Sequence, residues 1–495
     1  MSDSSSHPDS STNRGGATGL QPFGLRAIDT SMRVPAVVFG AMSVLWLFVA
    51  TLFALITSFK LHTPGFLGQW ELLTFGRVQP AYMTMFLYGW ATNAGFGVAF
   101  WIMARLSRNT LQAGVTLYTA AAFWNVGVLV AIFGILIGHL NPHKWLEMPG
   151  YAAPLLFVAF ALIAVWAVLT FRFRRSDYSY VSQWYLLAAL FWFPAIFGIA
   201  CLMLVYAPAR GVVQSVVGMW YAHNLYALWL TPIGLAAAYY FIPKILGKPV
   251  HSYYFAAIAF WTYLVFASWA GTQHLAGGPV PAWIISSGIV GSLLTLFPVV
   301  IIGINHHVSM AGNFGKLRTS PTLRFVYFGA VAFTSVSILT AFTAFRSVRE
   351  VVQFTYFMDG QMQWGIYAWF TMAMFGALYY IMPRVLNREW PSAMLIRLHF
   401  WTCASGIVLY VLAMCIGGWI QGIQINNPGA YPDFVDVVGN TMPWLVAGSL
   451  AGILLLLGHA AFAIHFFWIL LRPEIPDESR SKLFKEPKHM KVAVK

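Results

Sequence analysis

Twelve apolar runs, each long enough to cross a bilayer, recur along this chain, at approximately 34–58, 80–104, 113–138, 152–171, 183–206, 218–243, 252–275, 282–305, 325–345, 363–383, 394–420 and 443–471. A spanning helix needs about 20 predominantly apolar residues. In hydrocarbon every backbone N–H and C=O must be satisfied within the protein, so an open chain crosses only as helix. The fold class read from the sequence is therefore all-α, a polytopic membrane bundle of about twelve transmembrane helices. Composition agrees: 9% of the residues are charged, against about 25% in soluble domains.

The basic residues orient the bundle. With the N-terminus placed inside, 23 of the 29 Lys and Arg fall in inner segments, inner helix ends or tails; only Lys60, Arg77, Lys144, Arg210, Arg346 and Arg349 fall outside. Cytoplasmic loops carry the excess of Lys and Arg, so both termini are expected in the cytoplasm. Residues 1–24 read as a disordered cytoplasmic tail, 25–472 as the transmembrane domain and 473–495 as a charged cytoplasmic tail. All fifteen acidic residues are read as lying in loops or tails, which argues against a carboxylate-based proton or cation transporter. The net charge of +14 comes without a basic stripe or aromatic platform, so no nucleic acid is expected as a partner. Cys201, Cys403 and Cys415 form no CxxC or CxxCH, which leaves no signal for an iron–sulfur site or covalent heme. No internal repeat stands out.

Several segments carry a family resemblance. They are FGRVQPAYMTMFLYGW at 75–90, WYAHNLYALWLTPIGLAAAYYFIPKILGKPVHSY at 220–253, WAGTQHLAGGPVPAW at 269–283, GQMQWGIYAWFTMAMFGALYYIMP at 360–383, HFW at 399–401 and GIVLYVLAMCIGGWIQG at 406–422. In this order they resemble subunit I of the cbb-type heme–copper oxidases across roughly 25–470. The resemblance implies two hemes and one copper near the outer face, and other membrane subunits as partners, among them a c-type cytochrome. It also implies the inner membrane of a bacterium.

The family's ligand scheme maps onto this chain position by position. The second-helix ligand of the low-spin heme falls on Tyr82, and the two histidines of the tenth-helix H-x-H fall on Gln361 and Gln363. The copper histidine of the sixth helix is kept as His223, and the seventh-helix pair becomes Gln273-His274. A tyrosine that the family links to the sixth-helix His maps to Ala267, and a ninth-helix glutamate to Leu339.

Heme iron is held by His, Met, Cys or Tyr, and an amide oxygen is a weak donor. Tyr82 would have to lose a proton of pKa about 10 to ligate as phenolate. Copper favours imidazole and thiolate, so His223 and His274 offer at best a weak copper or zinc site. These substitutions point to a cofactor-poor, atypical subunit of a respiratory or electron-transfer membrane complex. Two alternatives stand beside it: an active terminal oxidase or nitric oxide reductase-like enzyme with unusual ligands, and a small-molecule channel or transporter using the vacated cavity.

Blander readings compete at each residue. His223, His274 and Gln273 are expected to join one hydrogen-bond cluster with Gln361, Gln363, Tyr82, Asn224 and Tyr226, because polar groups inside a bundle need partners. His306 and His307 read as interfacial, His459 and His465 as core or groove residues, His399 as scaffold, and His139 and His143 as surface. Arg346 and Arg349 flank the outer mouth with Glu350 and Asp359; under the resemblance they could hold heme propionates, and the preferred reading is an interfacial or subunit-contact ion pair.

Overall fold

The structure is a computed structural model that describes residues 24–474, so most of both expected tails lies outside the described residues. Among the described residues there is no strand. Eleven helices are long and apolar enough to cross a membrane: Arg33–His62, Gly114–Leu136, Ala153–Arg172, Val181–Tyr206, Val212–Leu246, Tyr253–Leu275, Ala282–Met310, Pro321–Phe342, Phe357–Leu386, Ala393–Ile425 and Phe434–Leu471. The helix at 75–107 makes the twelfth, second in chain order. Its middle carries Thr92 and Asn93, which it can afford because it is buried. Several helices run past the expected spans, because backbone hydrogen bonding continues where the apolar run stops. At the end of the bundle that the Lys and Arg distribution predicts to be cytoplasmic, the inner end, the seventh, ninth and eleventh helices each begin with a serine cap: Ser252, Ser320 and Ser392 accept from the N–H of Phe255, Leu323 and Leu395.

The second, sixth and tenth helices form the core of the bundle. The apolar stretch of the tenth is wholly buried and that of the sixth nearly so, although residues 212–220 at the start of the sixth are half-buried or exposed; the surrounding helices keep an apolar face outward. Small residues let the three approach: a side chain at Gly234 would strike the Trp369 indole, and one at Gly365 would strike the Tyr226 ring. Their inner ends stay close through Trp101, whose ring meets Phe241 of the sixth helix and Tyr380 of the tenth.

Each of these helices breaks from α to π geometry at mid-membrane, over Met85–Ala91, Leu225–Leu230 and Trp364–Thr371. A π turn leaves backbone groups displaced and is found mostly at functional sites. Here a repeated Trp-x-Thr motif serves the break: Trp90-Ala91-Thr92, Trp229-Leu230-Thr231 and Trp369-Phe370-Thr371. Thr92 donates its hydroxyl to the Leu87 carbonyl five residues back at 2.9 Å, and Thr371 does the same to Ile366 at 3.0 Å. Each of those hydroxyl oxygens then accepts an indole N–H from a neighbouring helix: Trp229 to Thr92 at 3.2 Å, and Trp90 to Thr371 at 3.0 Å. The third link, Trp369 to Thr231, does not form, and the Trp369 Nε1 stays without a partner. The chain thus holds a short repeat that the sequence reading did not detect, three residues long and buried in apolar surroundings.

Not all the acidic residues lie in loops or tails as expected: Asp29, Glu350, Asp359 and Asp436 lie in α-helices. Asp29, in the short helix Leu25–Ser31, is 8% exposed. It pairs with Arg105 at the inner end of the second helix at 3.0 Å and accepts from the Trp101 indole at 2.9 Å. A buried carboxylate persists because it is paired and hydrogen-bonded.

Replacing Thr371 by Val keeps its shape but leaves the Trp90 indole and the Ile366 carbonyl unsatisfied. The expected loss is about 1–3 kcal/mol, read by thermal unfolding in detergent, with Thr371→Ser retaining most of the stability. Equal stability of the Val and Ser variants would show that the indole–threonine link is not what holds these helices.

Candidate functional site

The outer halves of the central helices, above their π turns, enclose two cavities on opposite sides of the tenth helix. The first, about 130 Å³, is lined by His223, Tyr226, His274, Thr340 and Gln361 among others. The second, about 110 Å³, is lined by Tyr82, Gln363, Tyr367, Tyr410 and His459 among others. Gln361 and Gln363 are two residues apart, about 200° around a helix of 3.6 residues per turn, and they line opposite cavities for that reason. For scale, a cavity of about 150 Å³ holds a benzene.

The polar side chains do not form the single cluster expected from the sequence; most find partners on their own side, while the Tyr226 hydroxyl and the Asn224 side-chain oxygen have none. The Gln363 amide donates to the Tyr82 hydroxyl at 2.6 Å across the second cavity. The Gln361 amide donates to Thr340 Oγ1 at 2.9 Å, and its oxygen accepts from Thr343 at 3.2 Å. Gln273 turns away from the cavity, accepting from the Gly271 N–H at 2.7 Å and donating to Ser292 Oγ at 2.8 Å. His223 Nε2 donates to the Ala267 carbonyl at 2.8 Å, which leaves Nδ1 as its acceptor. The mapped tyrosine position is thus engaged through its backbone.

His274 is held differently. Arg349 Nη1 lies 3.3 Å from its Nδ1. A guanidinium can only donate, so Nδ1 accepts and the proton of a neutral ring sits on Nε2. His223 and His274 line the same cavity, but the second has spent its lone pair on a cation.

His459 proves more than a groove residue. Thr51 gives its one proton to the Leu47 carbonyl at 2.7 Å, so it accepts from His459 Nδ1 at 2.6 Å. His459 Nε2 then accepts from the Tyr367 hydroxyl at 2.6 Å. The result is an oriented chain, Tyr367 to His459 to Thr51 to backbone, along the second cavity. His465 is spatially separate in its bonding and accepts from the Ser392 N–H at 3.1 Å. His399 packs in the core against Phe375 and bonds to the Tyr379 hydroxyl at 2.9 Å. His307 contacts the Thr334 hydroxyl at 3.0 Å, and His306 is buried against the Tyr239 ring rather than interfacial.

The outer connections carry the charge. Lys144 lines the first cavity; loss of solvation pulls its ammonium below the usual lysine range, while Asp359 and Glu147 act the other way. Burial pushes the Glu147 carboxyl up to about 7, against backbone N–H donors and Lys144. The ion pair expected at Arg346 and Arg349 does not form among the described residues: Arg346 donates to Ser286 Oγ at 2.8 Å, and Arg349 is turned inward. Also among the described residues, no group of three His, Cys, Asp or Glu side chains is gathered as a metal site.

The family model for cytochrome c and quinol oxidase polypeptide I matches residues 34–454. A cytochrome c oxidase subunit 1 homolog of Azorhizobium caulinodans is 27% identical, covering 89% of this chain and 82% of the relative. The cbb3-type cytochrome c oxidase subunit CcoN1 of Stutzerimonas stutzeri is also 27% identical, covering 89% of this chain and 95% of that one. A solved heme–copper terminal oxidase, described as a dimer, superposes with a TM-score of 0.68 at 17% identity, covering 92% of this chain and 85% of its own, and shows the shared fold. The helices that carry Tyr82, His223, Gln361 and Gln363 lie within the matched region, and the chain belongs to the family of cytochrome c and quinol oxidase polypeptide I, as a membrane protein of the heme–copper oxidase subunit I type.

Proposed function

We propose that this chain is a cofactor-poor subunit I homologue acting within a respiratory or electron-transfer complex of a bacterial inner membrane, and that it holds neither heme in its family's manner. The observation that carries this reading is the 2.6 Å hydrogen bond between Gln363 and Tyr82. The resemblance places one axial ligand of the low-spin heme at Tyr82 and the other on the tenth helix at Gln361 or Gln363, and Gln363 is the one that faces Tyr82. Ligands on opposite sides of a metal stand about 4 Å apart, two bonds of roughly 2 Å each, so side chains in direct contact leave no place for iron between them. The residues present do not fit the group.

The first cavity supports the same reading. Gln361 is satisfied by two threonines, so no strong donor faces the cavity from the tenth helix. At the copper positions, Gln273 faces away, His223 keeps one lone pair, and His274 accepts from a guanidinium. A divalent cation beside Arg349 would be repelled, which disfavours the weak copper or zinc site at His223 and His274. The cavities are also small, at about 130 and 110 Å³. At the mapped ligand positions the side chains of Tyr82, Gln273, Gln361 and Gln363 are satisfied by protein neighbours, and this favours a structural subunit over the enzyme and channel alternatives.

The named relatives are subunits of cytochrome c oxidases, and we infer that this chain likewise assembles with other membrane subunits, a c-type cytochrome among the candidates. Both termini are assigned to the cytoplasm from the distribution of Lys and Arg.

The purified protein is expected to show no Soret band and no reduced-minus-oxidised heme spectrum; one heme per chain would overturn the reading. Tyr82→Phe removes the acceptor of the Gln363 amide and is expected to cost about 1–3 kcal/mol in thermal unfolding, with no change in visible absorbance. Reporter fusions after Arg175 and Arg388 are expected to report the cytoplasm, and a fusion in the 138–152 connection the opposite side.

A further inference from the structure

Arg349 lies in the short outer helix Arg346–Val352, between the ninth and tenth spanning helices. Its guanidinium is an anomaly: the residue is 2% exposed, and among the described residues no carboxylate pairs with it. Nη1 is spent on neutral acceptors, Gln353 Oε1 at 3.1 Å, Met358 Sδ at 3.2 Å and His274 Nδ1 at 3.3 Å. Nε and Nη2 have no hydrogen-bond partner. Burial lowers the group to about 10, so it stays charged at neutral pH. A buried charge is tolerated when it is paired, and an isolated one is costly.

The pattern of what is unpaired says what is missing. Nε and Nη2 share one edge of the planar guanidinium. Two parallel N–H groups on one edge are the fork that takes both oxygens of a carboxylate, or of a planar oxyanion with the same spacing. A spherical anion uses such an edge less well. The side chain also lines a recess of about 420 Å³ on the outer side, together with Arg346, Gln353, Thr355 and Asn426. These add a second cation and neutral hydrogen-bonding groups. Glu350 lines the recess too, without pairing with Arg349. The unpaired atoms lie beneath the surface, which suits a small molecule better than the face of a partner protein.

We propose that the Nε/Nη2 edge of Arg349 is a binding site for a small organic carboxylate, or a planar oxyanion of the same two-oxygen geometry, entering from the outer recess. The site touches the first cavity through His274 and Met358, which line that cavity and both contact Nη1. Occupancy there would neutralise the cation that now fixes the proton of His274. The inference rests on the cofactor-poor reading in one respect: a heme in the first cavity would bring carboxylates of its own to this neighbourhood.

The test uses the full chain, purified in detergent, with sodium formate and sodium acetate as probes and sodium chloride at equal ionic strength as control. Formate and acetate are expected to raise the unfolding temperature saturably, as ligands of the folded state do, and chloride is not. Arg349→Lys keeps the charge and loses the fork; it is expected to weaken the response at least tenfold, as is Arg349→Gln. Line broadening of ¹³C-formate by the wild-type protein gives a second readout that needs no variant. No saturable response to either probe, or an undiminished response in Arg349→Lys, overturns the proposal. Absorbance of the same sample separates the two readings: formate inert with no heme present defeats this inference alone, whereas formate inert with one heme per chain defeats both.

Discussion

Three helices with buried middle segments are held side by side, and the rest of the bundle is arranged around that contact. Hydrocarbon gives no hydrophobic reason for helices to associate, so close packing and interhelical hydrogen bonds have to supply it. In this chain they are supplied at the π turns. In the second and tenth helices the break frees a carbonyl, the threonine five residues on takes it up, and an indole from a neighbouring helix closes the arrangement at Thr92 and Thr371; Thr231 of the sixth helix makes neither bond. Glycines at 234 and 365 admit the aromatic rings that fill the space between. Below the turns the helices are tightly packed around Trp101; above them they enclose the two cavities.

The π turns also explain why the family's ligand positions remain recognisable after their chemistry changed. Tyr82, His223, Gln361 and Gln363 each lie within three residues of the start of a π segment. The backbone that aims a side chain at a cavity depends on the Trp-x-Thr links, not on the identity of that side chain. Exchanging imidazole for amide or phenol therefore leaves the aim intact and changes only what the aimed groups do. Pointed at each other across a small space, Gln363 and Tyr82 make a hydrogen bond. Gln361, without a facing partner, finds Thr340 and Thr343 on the ninth helix.

Much of this was legible from the sequence. Helix number, all-α class, the central place of the 75–90, 220–253 and 360–383 segments, and the family itself follow from apolar run length and from ordered motifs. Other features were hidden for identifiable reasons. The expected single cluster splits because residues 361 and 363 lie on opposite faces of one helix, and because Gln273 lies in a 3-10 turn that rotates it toward Ser292. The role of His459, and through it that of Tyr367, depends on Thr51, which lies 408 residues before His459 in the chain. Arg349 looked like half of a surface ion pair because Glu350 follows it directly; a helix places consecutive residues about 100° apart, and here one of them turns inward.

What the sequence determined by itself is the solvent each segment faces and the identity of the side chains at each mapped position, because run length and residue type are local properties. What only the tertiary structure decided is which of those side chains meet. Hydrogen bonds between helices depend on rotation about each helix axis, and three π turns set that rotation here. The sequence therefore names Tyr82 and Gln363 as replacements, and only the packed bundle makes them partners, leaving Arg349 as a buried cation whose Nε and Nη2 find no partner among the described residues.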